Sequence, residues 1–118
     1  MQQKVYFLST CDTCRRIMKE VGVDDSFEQQ DIKSSPVTEE QVVEFYQHTG
    51  SYEALINKRA RKLKEVLTEN PVKDDADYKK LLLKDYTFLK RPVFEIDGQL
   101  FVGNAPKVVE AIKRKLKR

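Results

Sequence analysis

Two cysteines, Cys11 and Cys14, stand in "STCDTCRRI" with two residues between them, and the chain has no other cysteine. Thiols at this spacing do one of three things. They cycle between dithiol and disulfide, the first attacking and the second resolving the adduct. They supply half of a zinc site. Or they pack as two small hydrophobes. Zinc in a structural site takes four ligands, and His48 adds only a third obvious candidate, far along the chain in a segment with helical periodicity. The flanking sequence favours redox chemistry. Cys11 falls where an apolar run gives way to a helix-like stretch. Unpaired N–H groups and the positive end of the helix dipole favour an anion there, so the Cys11 thiol should ionise below its ordinary value of ~8.5. Arg15 and Arg16 add positive charge one turn on. Cys14, a turn into the helix and on its apolar face, suits a shielded resolving thiol.

The elements around this pair follow from periodicity. "KVYFLST" carries Val5, Tyr6, Phe7 and Leu8 in succession, as a strand buried on both faces does. Cys14, Ile17, Met18 and Val21 recur at helical spacing, with Thr10 as the expected cap and Gly22 as the stop. "SFEQQDI" reads as a second strand leading to Asp31, and a β-α-β start favours parallel pairing. A turn follows at "KSSPVTEEQ", where Thr38 and Gln41 have capping-box spacing ahead of a helix that should end near Gly50.

"SYEALINKRARKLKEVL" predicts another helix with Leu63, Val66 and Leu67 inward. "DADYKKLLLKDYTFL" predicts a third that includes Leu81, Leu82 and Leu83. Then "RPVFEIDGQLFVGN" alternates as a hairpin. Val93, Phe94 and Ile96 lie in one strand, Leu100 to Val102 in the other, and Asp97-Gly98 forms the two-residue turn. "NAPKVVEAIKRKLKR" closes with a helix, Asn104 as expected cap, Pro106 in its first turn, and Val108, Val109, Ile112 and Leu116 inward. The order β-α-β, helical block, β-hairpin, α gives an α/β fold: a four-stranded mixed sheet with flanking helices. It resembles a thioredoxin-like core (residues 1–35 and 88–118) with a helical insertion (residues 36–87), in a single domain of 118 residues.

Composition narrows the function class. Of the residues, 40% are apolar and 35% charged, the balance of a water-soluble globule. No stretch approaches the ~20 apolar residues a membrane span needs, and the start lacks a signal-like pattern. A cytoplasmic setting is therefore expected, where CxxC pairs serve catalysis or metal binding more than structural stapling. Net charge of +3 is too small to indicate direct nucleic-acid binding. The tail "KRKLKR", residues 113–118, reads as a solvated final helical turn with cations at the negative end of the dipole. Asp24, Asp25, Asp74, Asp75 and Asp77 read as turn and helix-start residues, and no Gly-rich phosphate loop is present.

"CDTC", "LINKRARKL" and "LKRPVFEIDGQLFVGN", in that order, resemble the arsenate reductase ArsC/Spx family over nearly the whole chain. The resemblance implies that Cys11 is the nucleophile at the start of the first helix. It implies that Arg59 and Arg91 bind an oxyanion, carboxylate or thiolate, Lys58 and Arg61 being the substitutes for Arg59. It further implies that Pro92 is the proline that in thioredoxin folds is usually cis and faces the cysteine, leaving backbone groups free for an extended thiol such as glutathione. Two features depart from the glutathione-linked arsenate reductases. Asn104 stands where those enzymes carry a third arginine, and Cys14 supplies a second thiol that they generally borrow from glutathione or glutaredoxin.

The resulting expectation is a thiol-dependent oxidoreductase without a bound cofactor or metal. Glutathione, glutaredoxin or thioredoxin would be its reductant or partner. The alternative is an Spx-like redox-sensing regulator that binds RNA polymerase. A third reading is a family relative kept for binding alone.

Overall fold

The computed structural model describes residues 2–117. Its element order among them is β1 (Gln3–Phe7), α1 (Asp12–Val21), β2 (Glu28–Asp31), α2 (Glu39–Thr49), α3 (Arg61–Glu69), α4 (Asp75–Lys84), β3 (Val93–Ile96), β4 (Gln99–Val102) and α5 (Pro106–Leu116). Single 3-10 turns lie at Glu53–Leu55 and Tyr86–Phe88. The chain divides into two compact units, one formed by the residues up to Ser35 together with those from Arg91 on, the other by Pro36–Lys90.

The first unit holds the sheet, in the order β2-β1-β3-β4. β1 pairs parallel with β2 and antiparallel with β3, and β3 pairs antiparallel with β4. The central position of β1 explains its uninterrupted apolar run: Val5 and Tyr6, pointing to opposite faces, are both buried. Register places Val5 opposite Phe94 and Phe94 opposite Phe101, a row of large side chains across three strands. Ile17 and Val21 of α1, Val109 and Ile112 of α5, and Phe27 close over this row. Phe27 meets Phe94 edge to face at 6.1 Å between ring centroids. Burying each such side chain stabilises the fold by about 1.5–3 kcal/mol. Glu20 of α1 and Lys113 of α5 pair at 2.8 Å on the outer surface.

The turns take the forms the sequence suggests. Asp97 and Gly98 both have positive φ, 51° and 80°, as a type I′ hairpin turn requires. Gly22, at φ 81°, ends α1 in a Schellman arrangement: its N–H donates to the Lys19 carbonyl and that of Val23 to the Met18 carbonyl. The helix starts differ from expectation. Cys11, not Thr10, is the N-cap of α1, because the Cys11 N–H is drawn back to the Leu8 carbonyl at 3.0 Å and Asp12 is the first helical residue. Ala105, not Asn104, is the N-cap of α5, with Pro106 in the first helical position. Of the basic tail, Lys113 to Lys117 close α5; Arg118 lies outside the described residues.

In the second unit, Thr38 and Gln41 form the full capping box of α2, and Gly50 ends that helix at φ 72°. The continuous helix expected over 51–67 is broken instead into the 3-10 turn and α3. Backbone groups there are engaged elsewhere. The Asn57 N–H donates to the Phe88 carbonyl at 2.7 Å, the Lys90 N–H to the Leu55 carbonyl at 2.8 Å, and Ile56 bridges Leu89. Residues 88–90 thus belong with the helical unit. Asp75 holds the loop before the turn, accepting from the Tyr52 N–H at 2.8 Å, the Glu53 N–H at 3.0 Å and the Ser51 hydroxyl at 3.2 Å. Leu81 and Leu82 are buried, but Leu83 is 41% exposed, since three consecutive helical positions cannot share one inward face. Among the described residues, no helix is long and apolar enough to cross a membrane.

Candidate active site

The candidate site is built on the first unit, at the loop that joins β1 to α1. Leu8 ends the apolar run, and the tight turn from its carbonyl to the Cys11 N–H brings the chain into helical geometry at Asp12. Cys11 is therefore the capping residue itself. Its backbone is still extended (φ −98°, ψ 114°), so its side chain stands beside the first free amides of α1. Both cysteines are free thiols, Cys11 partly exposed and Cys14 buried. Cys14 lies on the buried face of α1 with Ile17 and Val21.

The two sulfurs have opposite electrostatics. Burial is the largest single influence on the Cys11 thiol and pushes it up. The Cys14 amide, the Cys14 thiol, the Arg91 guanidinium and the Thr13 amide together outweigh burial, and the net shift is downward. Neither amide closes a cap hydrogen bond of full geometry to the sulfur, so their contribution is that of dipoles held close by. Burial pushes the Cys14 thiol up to about 12. The Leu8 amide opposes this, while the negative Cys11 sulfur and the hydrogen bond between the two thiols add to it. One thiol is thus shifted toward the thiolate and the other, one turn away, is held protonated.

Arg91 and Pro92 come to the same unit from the other end of the chain, where they lead into β3. The Arg91–Pro92 peptide bond is cis. Pro92 is buried, and its carbonyl accepts from the Gly103 N–H at 3.0 Å, which ties it to the end of β4. The cation acting on both thiols is Arg91. The Arg15 side chain is turned to Asp12 in an exposed ion pair one helical turn long, which corrects the expectation that the arginines of α1 supply this charge.

Arg59 lies in the helical unit, exposed, in the turn ahead of α3, where its N–H donates to the Asn57 side chain at 3.1 Å. Of its named substitutes, Lys58 is paired with Glu53 at 2.6 Å and Arg61 begins α3. Asn104 is exposed two residues ahead of α5. His48 is an exposed residue of α2. The Thr13 and Cys14 amides at Cys11 are the helix-start N–H groups expected there, and the group that sequence reading missed is the Leu8 amide at Cys14. Any residue type carries such a group, so no side-chain pattern announces it.

A β2-β1-β3-β4 mixed sheet, a CxxC pair at the start of the first helix and a cis-proline leading into β3 define a thioredoxin-like protein. Within that class the chain belongs to the ArsC family, whose family model matches residues 6–112. An arsenate reductase (ArsC) related protein from Brucella melitensis is 31% identical, with 94% of this chain and 93% of that one aligned and a TM-score of 0.66. The arsenate reductase from Vibrio cholerae is 18% identical, covering 95% and 98% of the two chains with a TM-score of 0.76. SACOL0876 from Staphylococcus aureus is 22% identical, covering 93% and 97% with a TM-score of 0.69. The last two similarities bear on the fold alone. No curated protein matches the chain in sequence.

Proposed function

We propose that the protein is a thiol-dependent reductase that uses Cys11 as nucleophile. Membership of the ArsC family supports a reductase-like activity at the coarse level. The observation that carries the reading is the pairing of Cys11, lowered by neighbouring amides and Arg91, with a protonated Cys14 beside it.

In the disulfide version, the Cys11 thiolate attacks one sulfur of the substrate disulfide. A Cys11–substrate disulfide forms and the other half leaves as thiolate, taking up a proton. Cys14, once deprotonated, or an external thiol such as glutathione then attacks the adduct and frees the second half. The substrate has gained two electrons. The resulting Cys11–Cys14 or mixed disulfide returns to dithiol at the expense of glutathione, glutaredoxin or thioredoxin. In the arsenate version, Cys11 attacks arsenic with loss of water, and a second thiol forms the disulfide while arsenic leaves as arsenite. Arg91 offers a planar fork suited to an oxyanion or carboxylate. Asn104, neutral where related enzymes carry a cation, favours the disulfide version over arsenate.

Turnover assays with a glutathione mixed disulfide and with arsenate, each with glutathione, glutaredoxin and thioredoxin as donors, test the reading. Activity that depends on Cys11 is expected with at least one substrate. No turnover by wild type above Cys11→Ser with any pair would overturn it. A reversible Cys11–Cys14 disulfide that altered RNA polymerase binding would then favour the regulator.

A further inference from the structure

The turn that delivers Cys11 is held by a carboxylate outside the CxxC segment. Asp31 ends β2, and its backbone is fixed three times over. It stands opposite Phe7 in the β1–β2 register, the next N–H, of Ile32, donates to the Phe7 carbonyl at 2.8 Å, and the Ser35 N–H donates to the Asp31 carbonyl at 2.8 Å. Its side chain reaches across to the β1–α1 loop. One carboxylate oxygen, Oδ1, accepts from the Ser9 N–H at 3.3 Å and from the Lys33 N–H at 3.1 Å. The Ser9 hydroxyl is the main influence holding the Asp31 carboxyl below its usual range. Ser9 is the second residue of the turn closed by the Cys11 N–H and the Leu8 carbonyl.

We propose that Asp31 is a positioning residue for Cys11: by gripping Ser9 it fixes the turn from Leu8 to Cys11, and so the place of the sulfur against the Thr13 and Cys14 amides. The inference rests on Cys11 being the nucleophile. Asp31 acts through hydrogen bonds to backbone and hydroxyl, not on substrate. Its own negative charge works the other way, since a nearby carboxylate disfavours a thiolate. The sign of the effect on removal therefore separates the two roles. Loss of the charge alone lowers the Cys11 pKa, and loss of the grip raises it.

The test is the pH dependence of Cys11 alkylation by iodoacetamide, read by mass spectrometry in the full chain, for wild type, Asp31→Ala and Asp31→Asn. Asp31→Ala removes charge and grip. Its midpoint is expected to rise by about one unit, which leaves about tenfold less thiolate at pH values below the midpoint. Asp31→Asn keeps an acceptor at Oδ1 and a donor for the Ser9 hydroxyl, and is expected to restore the wild-type midpoint or fall slightly below it. If Asp31→Ala does not fold, Asp31→Glu, which keeps the charge but displaces it by one methylene, must raise the midpoint instead. An Asp31→Ala midpoint that is unchanged or lower overturns the inference, as does an equal rise in Asp31→Asn. An ordinary midpoint in wild type overturns the nucleophile reading itself, whatever the variants do.

Discussion

The Cys14 side chain favours ionisation of the Cys11 thiol, while the Cys11 sulfur opposes that of Cys14. The asymmetry arises from placement. Cys11 caps the helix and is partly exposed, while Cys14 lies one turn inside on the buried face. It also sets an order of events. When Cys11 is consumed in a mixed disulfide, its negative charge disappears, and with it two of the influences that hold the Cys14 proton. On the proposed mechanism Cys14 would then be the better nucleophile when resolution calls for it, although burial still restrains it.

Replacing Cys14 should therefore separate resolution from attack. In Cys14→Ser, Cys11 is expected to form a glutathione adduct that accumulates toward one per chain, whereas wild type passes it on to an intramolecular disulfide. Intact-mass measurement after a brief exposure to oxidised glutathione reads both species. Equal adduct lifetimes in the two proteins would assign resolution to an external thiol instead.

Arg91 contributes a charge to the Cys11 thiolate, after the larger influences of burial and the Cys14 groups. Arg91→Ala should raise the Cys11 pKa and slow its alkylation at neutral pH by about three- to tenfold, the lower end reflecting a partly exposed site. Arg91→Lys keeps the charge without the planar fork, so it should restore much of the alkylation rate while leaving anion binding weaker. Stopped-flow alkylation and substrate KM together distinguish the two losses.

The sheet core gives a prediction independent of the chemistry. Phe94 is fully buried, flanked by Val5 and Phe101 in register and met by Phe27. Phe94→Ala should cost about 3–5 kcal/mol, transfer and cavity terms together. Chemical denaturation of the reduced protein measures it.

Asp75 should make the helical unit acid-sensitive. Its carboxyl is held low chiefly by the Tyr52 N–H, with burial opposing and the Glu53 N–H and Ser51 hydroxyl assisting. A folded-state pKa below the unfolded one means that the stabilisation is present above the unfolded value, ~3.9, and is lost as pH falls through the folded value. Melting temperature should drop on acidification through that window, and Asp75→Asn should flatten the drop. At neutral pH, Asp75→Ala should cost about 1–3 kcal/mol by leaving donors without an acceptor.

Much of this arrangement was legible in the sequence because it rests on side-chain periodicity. The buried face Cys14–Ile17–Val21, the Thr38–Gln41 capping box and the Asp97-Gly98 hairpin turn each follow from a local rule, and each is present. What was not legible depends on where backbone groups go. Thr10 is the better capping residue by type, but the Cys11 N–H folds back to Leu8 and moves the helix start by one residue. The helical period over 51–67 is real, yet Asn57 and Leu55 spend their backbone groups on Phe88 and Lys90, far along the chain. The charge at Cys11 likewise comes from Arg91, eighty positions away in sequence, rather than from its neighbours Arg15 and Arg16.

The most direct test is the ionisation midpoint of Cys11 in the reduced wild-type protein, taken from alkylation rate against pH with Cys14→Ala as a control for the influence of the Cys14 side chain. A wild-type midpoint below that of an unstructured thiol, ~8.5, is expected, and a higher one in Cys14→Ala, where no side chain remains at position 14 to donate to the sulfur. A wild-type midpoint at or above the unstructured value would contradict the nucleophile reading.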